Sequence, residues 1–250
     1  MNKITSRENP LVKQVAALGK DAALRRELGL FVCESPVLLR EAAACGAPID
    51  KVFALDPDAL NDVTLDDAAL YQVNESVMEK LSGLKTPPGV LFTCRMAGKG
   101  VFRPGRVLAV EDLADPGNLG TVIRTAEAFS MDTVALVGRC ADVYAPKVVR
   151  ATMGSILRVN LCFMTLEELA QACSDSDLPL YAAALTDKAV SIGDVDLSRA
   201  AVLIGNEARG LSQAALDICG KHVIIPITGI QSLNAAVAAS VFMYEMAKKS

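Results

Sequence analysis

Val107-Leu-Ala-Val-Glu111-Asp-Leu-Ala-Asp115-Pro-Gly-Asn118-Leu-Gly-Thr-Val-Ile-Arg124 is the stretch whose reading decides the fold. Residues 107–110 are uniformly apolar and read as a buried strand; a polar loop with an Asp-Pro-Gly turn follows, and beyond it apolar residues recur at helical spacing. Asn118 falls where a helix N-cap belongs, and Arg124 lies six residues further, within the helix. The same alternation continues downstream. Strands are expected at 133–137, 158–163, 180–184, 201–204 and 223–225, with helices at 119–129, 147–153, 166–173, 213–218 and 233–248. Strands this apolar, alternating with helices, specify a mostly parallel sheet covered on both faces.

Upstream the elements are shorter. Helices are expected at 10–18 and 21–28, stopped by Gly19 and Gly29, then a strand at 30–33. Ser35-Pro36 supplies a cap followed by proline at the first helical position, and Gly46 ends that helix. Strands at 49–55, 71–73 and 90–93, a helix at 75–81 and an aspartate-rich loop complete a small α/β module. Residues 95–106 hold three glycines, a proline and four basic residues without periodicity, which marks a linker. The expected organisation is therefore an α/β module at 1–94, a linker at 95–106 and a parallel-sheet domain at 107–250.

Composition narrows the function classes. Of the 250 residues, 52% are hydrophobic and 22% charged, so disorder is excluded as the main state. The longest uncharged stretch, 223–244, is interrupted by Pro226, Gly229, Gln231, Ser232 and Asn234, so no membrane span is expected there. The start lacks the apolar core of a signal peptide, which makes the cytoplasm the expected compartment. Seven cysteines without a Cys-x-x-Cys pair read as reduced, mostly buried thiols, and a single histidine leaves no nitrogen and sulfur ligand set for zinc. No metal is expected. His222 is read as an exposed helix-end group, not a base. Net charge is −4, yet residues 1–26 carry six basic residues against two acidic ones. Lys13, Arg25 and Arg26 on this arm are the candidate RNA contacts; the alternative is a solvated amphipathic helix.

Ligands bind such sheets beyond the carboxyl ends of the strands, and three loops there are chemically equipped. They are 111–124, quoted above; Ile204-Gly-Asn-Glu207-Ala-Arg-Gly-Leu-Ser212; and Ile225-Pro-Ile-Thr-Gly-Ile-Gln-Ser232-Leu-Asn234. Singly, each also reads as a turn with a cap: Asn118, Ser212 and Ser232 are all ordinary N-cap residues. The Gly-x-Gly-x-x-Gly turn of dinucleotide-binding sheets is missing.

Together, in this order and spacing, the loops resemble the three signature motifs of the SpoU (TrmH-type) branch of the SPOUT RNA methyltransferases. Residues 149–155, Val-Arg-Ala-Thr-Met-Gly-Ser, are similar to that family's stretch between motifs, and the N-terminal module resembles the ribosomal-protein-like RNA-capture domain of many rRNA-modifying members. Two positions depart from the pattern: the third motif is one residue shorter between Gly229 and Ser232, and Ala208 replaces a common glycine. The resemblance implies methyl transfer from S-adenosylmethionine to a ribose 2′-hydroxyl of RNA, rRNA more than tRNA, on a sheet tied in a deep trefoil knot. It implies a polar catalytic group of Asn118, Arg124, Glu207, Ser232 and Asn234, and a cofactor held around Leu203, Gly205, Ile225 and Leu233. It also implies a homodimer in which Arg124 faces the cofactor of the other subunit. Two other classes stay open on the residues alone: a non-catalytic RNA-binding or ribosome-associated protein on the same fold, and a small-molecule α/β enzyme.

Overall fold

A computed structural model describes residues 2–230 and 232–248; Gln231 of the third loop lies outside the described residues. The chain forms two units, Met1–Met96 with Asp142–Leu157, and Ala97–Ala141 with Arg158–Ser250.

In the first unit, β1 (Asn2–Ile4), α1 (Pro10–Leu18), α2 (Ala22–Leu28), β2 (Leu30–Glu34), α3 (Pro36–Ala44), β3 (Ile49–Ala54), β4 (Ala69–Val73), α4 (Glu75–Leu81) and β5 (Val90–Arg95) follow in order. The helix starts are set locally. Asn9, Asp21, Ser35 and Asn74 each accept main-chain N–H groups of the following turn, with proline opening α1 and α3. The sheet order is β1-β4-β3-β5-β2, parallel across β1, β4 and β3 and antiparallel at β5. Val12, Val15 and Leu18 of α1 and Val77, Met78 and Leu81 of α4 bury against Val32, Phe53, Val73 and Leu91 of the sheet. Strand β1 has no counterpart in the pattern of apolar residues. Only Ile4 of its three residues is buried, so it forms by pairing with Tyr71–Val73 and leaves no alternation to detect.

The second unit begins with residues 97–105, which are docked on it. Thr133 Oγ1 accepts from the Arg103 N–H (2.9 Å) and donates to its carbonyl (3.0 Å), while Asn160 Nδ2 donates to the Val101 carbonyl (2.9 Å). Strand β6 (Arg106–Glu111), α5 (Pro116–Ala128) and β7 (Thr133–Val137) come next. The segment that carries α6 (Pro146–Ala151) groups with the first unit, where α6 packs on β2, Tyr144 meets Phe31 at 4.9 Å between ring centroids, and Arg25 pairs with Asp142. The chain then returns with β8 (Leu161–Met164), α7 (Leu166–Asp175), β9 (Leu180–Ala183), β10 (Val190–Ser191), β11 (Ala200–Ile204), α8 (Gln213–Ile218), β12 (Lys221–Ile224) and α9 (Ala235–Lys248). Strand β8 starts later than the apolar pattern indicates because a 3₁₀ turn occupies Ser155–Leu157 and the Asn160 amide is drawn to Val101, Asp132 and Thr133.

All pairings of the seven-stranded sheet, in order β10-β12-β9-β11-β6-β7-β8, are parallel. One face buries Val107, Ala109, Ala201 and Leu203 with Leu169 and Cys173 of α7 and Ala215 of α8. Helix α9 lies against β6 and β11 and carries α5 on it. Because β6 and β11 are neighbours, the loops that leave their carboxyl ends emerge side by side. No helix among the described residues is long and apolar enough to cross a membrane.

Candidate active site

Helix α5 starts at Pro116, three residues before the apolar spacing suggests, because Asp115 is its cap: Oδ1 accepts from the Asn118 N–H at 2.8 Å. The expectation of an N-cap at Asn118 is thereby corrected. Asn118 sits in the first turn, and its side chain is released to bond elsewhere.

The second loop is clamped to the end of β6. Glu111, 6% exposed, accepts from the Ser212 N–H (2.8 Å) and Oγ (2.6 Å), while Ser212 Oγ also accepts from the Ala215 N–H to cap α8. Asn206 donates to the Asp112 carbonyl (2.8 Å) and accepts from the N–H groups of Ala208 and Arg209, which folds residues 206–210 into a tight turn. Asp112 has φ 51° and accepts from the Arg139 N–H at 2.6 Å. Only glycine fits at 205, since a Cβ there would lie 2.2 Å from the Gly210 carbonyl carbon and 2.3 Å from the Leu211 nitrogen. Glu111, Asp112 and Asn206 were not among the expected site residues. The available signal was a carboxylate pair, 111 and 112, placed directly at the end of an apolar strand.

The third loop ends at Asn234, whose Oδ1 accepts from the N–H groups of Ala236 (2.9 Å) and Val237 (3.3 Å) at the start of α9. Its Nδ2 then donates to Asn118 Oδ1 (3.1 Å), and Asn118 Nδ2 donates to Glu207 Oε1 (2.9 Å). This relay joins one residue from each loop. Its direction is determined from both ends, because a main-chain N–H can only donate and a carboxylate only accept.

The remaining expected residues lie as follows. Arg124 is exposed on α5 and makes no hydrogen bond or ion pair among the described residues. Six helical positions put it about 120° around the axis from Asn118, in line with exposed Thr121 and Ala128. It does not join the relay within its own chain. Ser232 is exposed and likewise unbonded among the described residues, so the third-loop cap is Asn234 and not Ser232. Gly205 is buried, and Ile225 and Leu233 are half-buried. Leu203 is fully buried, paired on both sides with Ala109 and Ala182; its side chain belongs to the core and stands under the ligand surface, not on it. Residues 226–230 are exposed, and their main chain makes no hydrogen bond among the described residues. A surface of open peptide groups beside Ile225, Ile227 and Leu233 suits the edge and faces of an adenine ring.

His222 differs from its expected exposed position. It lies in β12, half-buried, with Nδ1 2.9 Å from Thr186 Oγ1 and Nε2 3.3 Å from the Leu216 carbonyl. Of the basic arm, Lys13 is exposed and pairs with Glu8 at 2.5 Å, and Arg26 is exposed. Arg25 is 4% exposed; its guanidinium donates to Asp142 and to the Leu18 carbonyl. Its charge is consumed inside the first unit, which removes it from the candidate RNA contacts. Burial pushes the Cys173 and Cys219 thiols up to about 11 and about 12, which keeps them protonated. Among the described residues no group of three or more His, Cys, Asp or Glu could hold a metal ion.

The sequence model of the SpoU rRNA Methylase family matches residues 105–244, which contain all three loops and the whole relay. The chain belongs to that family. A second model, the MRM3-like substrate binding domain, matches residues 9–91. An uncharacterised tRNA/rRNA methyltransferase of Synechocystis is 32% identical, with 97% of this chain and 92% of that protein covered. The 23S rRNA (guanosine(2553)-2′-O)-methyltransferase RlmP of Bacillus subtilis is 26% identical over 98% of this chain and 99% of its own. Among solved structures, the AdoMet-bound rRNA methyltransferase of Sinorhizobium meliloti superposes with a TM-score of 0.90 at 28% identity, covering 99% of this chain and 98% of that one. In this SpoU protein, therefore, the loops that the hydrogen bonds gather all lie within the residues that the family model matches.

Proposed function

We propose that this SpoU methyltransferase moves a methyl group from S-adenosylmethionine to a ribose 2′-hydroxyl of rRNA in the cytoplasm, as a homodimer whose catalytic domain is tied in a trefoil knot. The observation that carries the reading is the relay from Asn234 through Asn118 to Glu207, which joins the three family loops at one end of a parallel sheet. The main chain of Gly205, Ile225 and Leu233 holds the adenosyl part, with Leu203 buried beneath. Bound S-adenosylmethionine supplies a methyl group activated on a sulfonium.

Transfer needs the hydroxyl aligned behind that methyl group and its proton released during attack. A guanidinium stays protonated in proteins, so the role of Arg124 is to bind the target phosphate and orient the ribose. Its position away from Asn118 on α5, exposed and unbonded among the described residues, supports service to the site of a second copy. The exposed edge of α9, with Val237 and Tyr244, supplies apolar surface for such a two-fold contact. Asn118, Glu207, Ser232 and Asn234 form the polar wall. RNA is captured by the first unit, with Lys13 and Arg26 as phosphate contacts.

The test is nucleoside analysis of rRNA incubated with the protein and methyl-labelled S-adenosylmethionine. Label in a 2′-O-methylated nucleoside supports the reading. Label in a base-methylated nucleoside, or transfer to tRNA alone, contradicts it.

A further inference from the structure

The first unit holds a groove, about 280 Å³ in volume, lined by none of the residues of the three loops. Helix α3 and helix α6 form its walls, and Val32, Leu38 and Val149 its floor. At its mouth stand Val37 and Met153, 62% and 65% exposed. Apolar side chains exposed singly are ordinary; two lining one groove are not. Met153 is also held at φ 50°, a region unfavourable for any residue with a Cβ, by a turn in which its N–H donates to the Arg150 carbonyl at 3.2 Å. The rim is charged. Arg150 lies 3.7 Å from Glu34, which also accepts from Ser82 Oγ; Glu41 of α3 lines the groove as well, and Lys147, one turn before Arg150 on α6 and outside the lining, is exposed.

We infer that this groove receives one unpaired nucleobase of the RNA substrate, with Lys147 and Arg150 taking the flanking phosphates. A base has apolar faces, N–H groups on its edge and a charged backbone on either side, and the groove offers a counterpart to each: valine and a polarisable methionine for the ring, the Glu41 carboxylate for its N–H groups, and the exposed cations Lys147 and Arg150 for the backbone. Its volume lies at the small end of ligand sites, enough for one ring system, while a helical stem cannot enter it. The α3 wall lies within the region matched by the substrate-binding model and the α6 wall within the region matched by the methylase model, although both walls belong to one unit. The inference rests on the reading of the first unit as the RNA-capture unit.

Two variants of the full chain test it. Met153→Gly removes one wall and relaxes the left-handed backbone, so it folds at least as well as the parent; Val37→Asp charges the other wall at an exposed position. The probe is a short single-stranded RNA carrying thiouridine, compared with its duplex, alongside titration with S-adenosylmethionine. Expected are cross-links from the single strand to the peptides holding Val37 or Met153, and about a tenfold loss of single-strand affinity in each variant at unchanged S-adenosylmethionine affinity. Cross-links confined to other surfaces with unchanged affinity would overturn the inference while leaving RNA capture by the first unit intact. A changed oligomeric state in light scattering at unchanged RNA affinity would make the groove a contact between copies and overturn it also. If the parent protein binds neither RNA, the capture reading fails and the inference with it.

Discussion

Replacing Arg25 by methionine separates a structural cation from an RNA contact. The guanidinium makes three directed contacts, Nε to Asp142 at 3.1 Å, a second nitrogen to the same carboxylate, and a third to the Leu18 carbonyl. Methionine keeps most of the aliphatic volume, so little of the cost comes from a cavity. The Asp142 side chain, 28% exposed, regains water, but the Leu18 carbonyl lies in a buried turn and loses its donor. An uncompensated buried acceptor costs about 1–3 kcal/mol, and losing one partner of a buried pair about 3–5 kcal/mol. Partial rehydration puts the sum near 3 kcal/mol, or roughly a hundredfold in the folding equilibrium. Urea unfolding followed by far-ultraviolet circular dichroism reads the stability, and RNA titration of the folded protein reads affinity and its salt dependence. The expected outcome is a first unfolding transition weakened by about 3 kcal/mol at unchanged RNA affinity. Unchanged stability with weaker RNA binding and a shallower salt slope would return Arg25 to the RNA surface.

Three further outcomes follow from the site and the thiols. Asn118→Asp sets a second carboxylate beside Glu207, where Asn118 Nδ2 now donates at 2.9 Å. Two acceptor oxygens then face each other where a donor met an acceptor, so the link between positions 118 and 207 is broken. S-adenosylmethionine affinity of the variant should therefore fall in calorimetry, and an affinity equal to the parent's would contradict the relay. Gly205→Ala drives a Cβ into the Gly210–Leu211 main chain and should reduce cofactor affinity at least tenfold, while circular dichroism stays native; full affinity would show that the turn need not be so tight. Iodoacetamide at pH 8 should modify exposed Cys45 and leave Cys173 and Cys219 untouched, as peptide mass spectrometry would record; equal labelling of Cys219 would contradict its raised pKa.

The catalytic half of the fold is legible because its strands are apolar throughout and its helices carry local start signals. Strands β6, β7 and β11 fall where residues 107–110, 133–137 and 201–204 indicate. What escaped is set by partners distant in the sequence. Strands β1 and β10 exist through pairing with β4 and β12, and nothing in two or three residues announces that. The loops could be nominated from their chemistry, but the roles within them depended on competition between neighbours. Asp115 outcompetes Asn118 as cap because proline follows it, and Asn234, not Ser232, holds the start of α9. Arg25 misleads for the same reason: a charge count cannot see Asp142, 117 positions away.

In the division of labour proposed above, Arg124 serves the ribose and its phosphate while the three loops hold the cofactor. Single-turnover methylation and S-adenosylmethionine calorimetry on Arg124→Ala test it most directly. The expected result is a rate of methyl transfer reduced by about a hundredfold or more, with cofactor affinity within a few-fold of the parent's. A parallel loss of cofactor affinity and rate, or a rate close to the parent's, would contradict it.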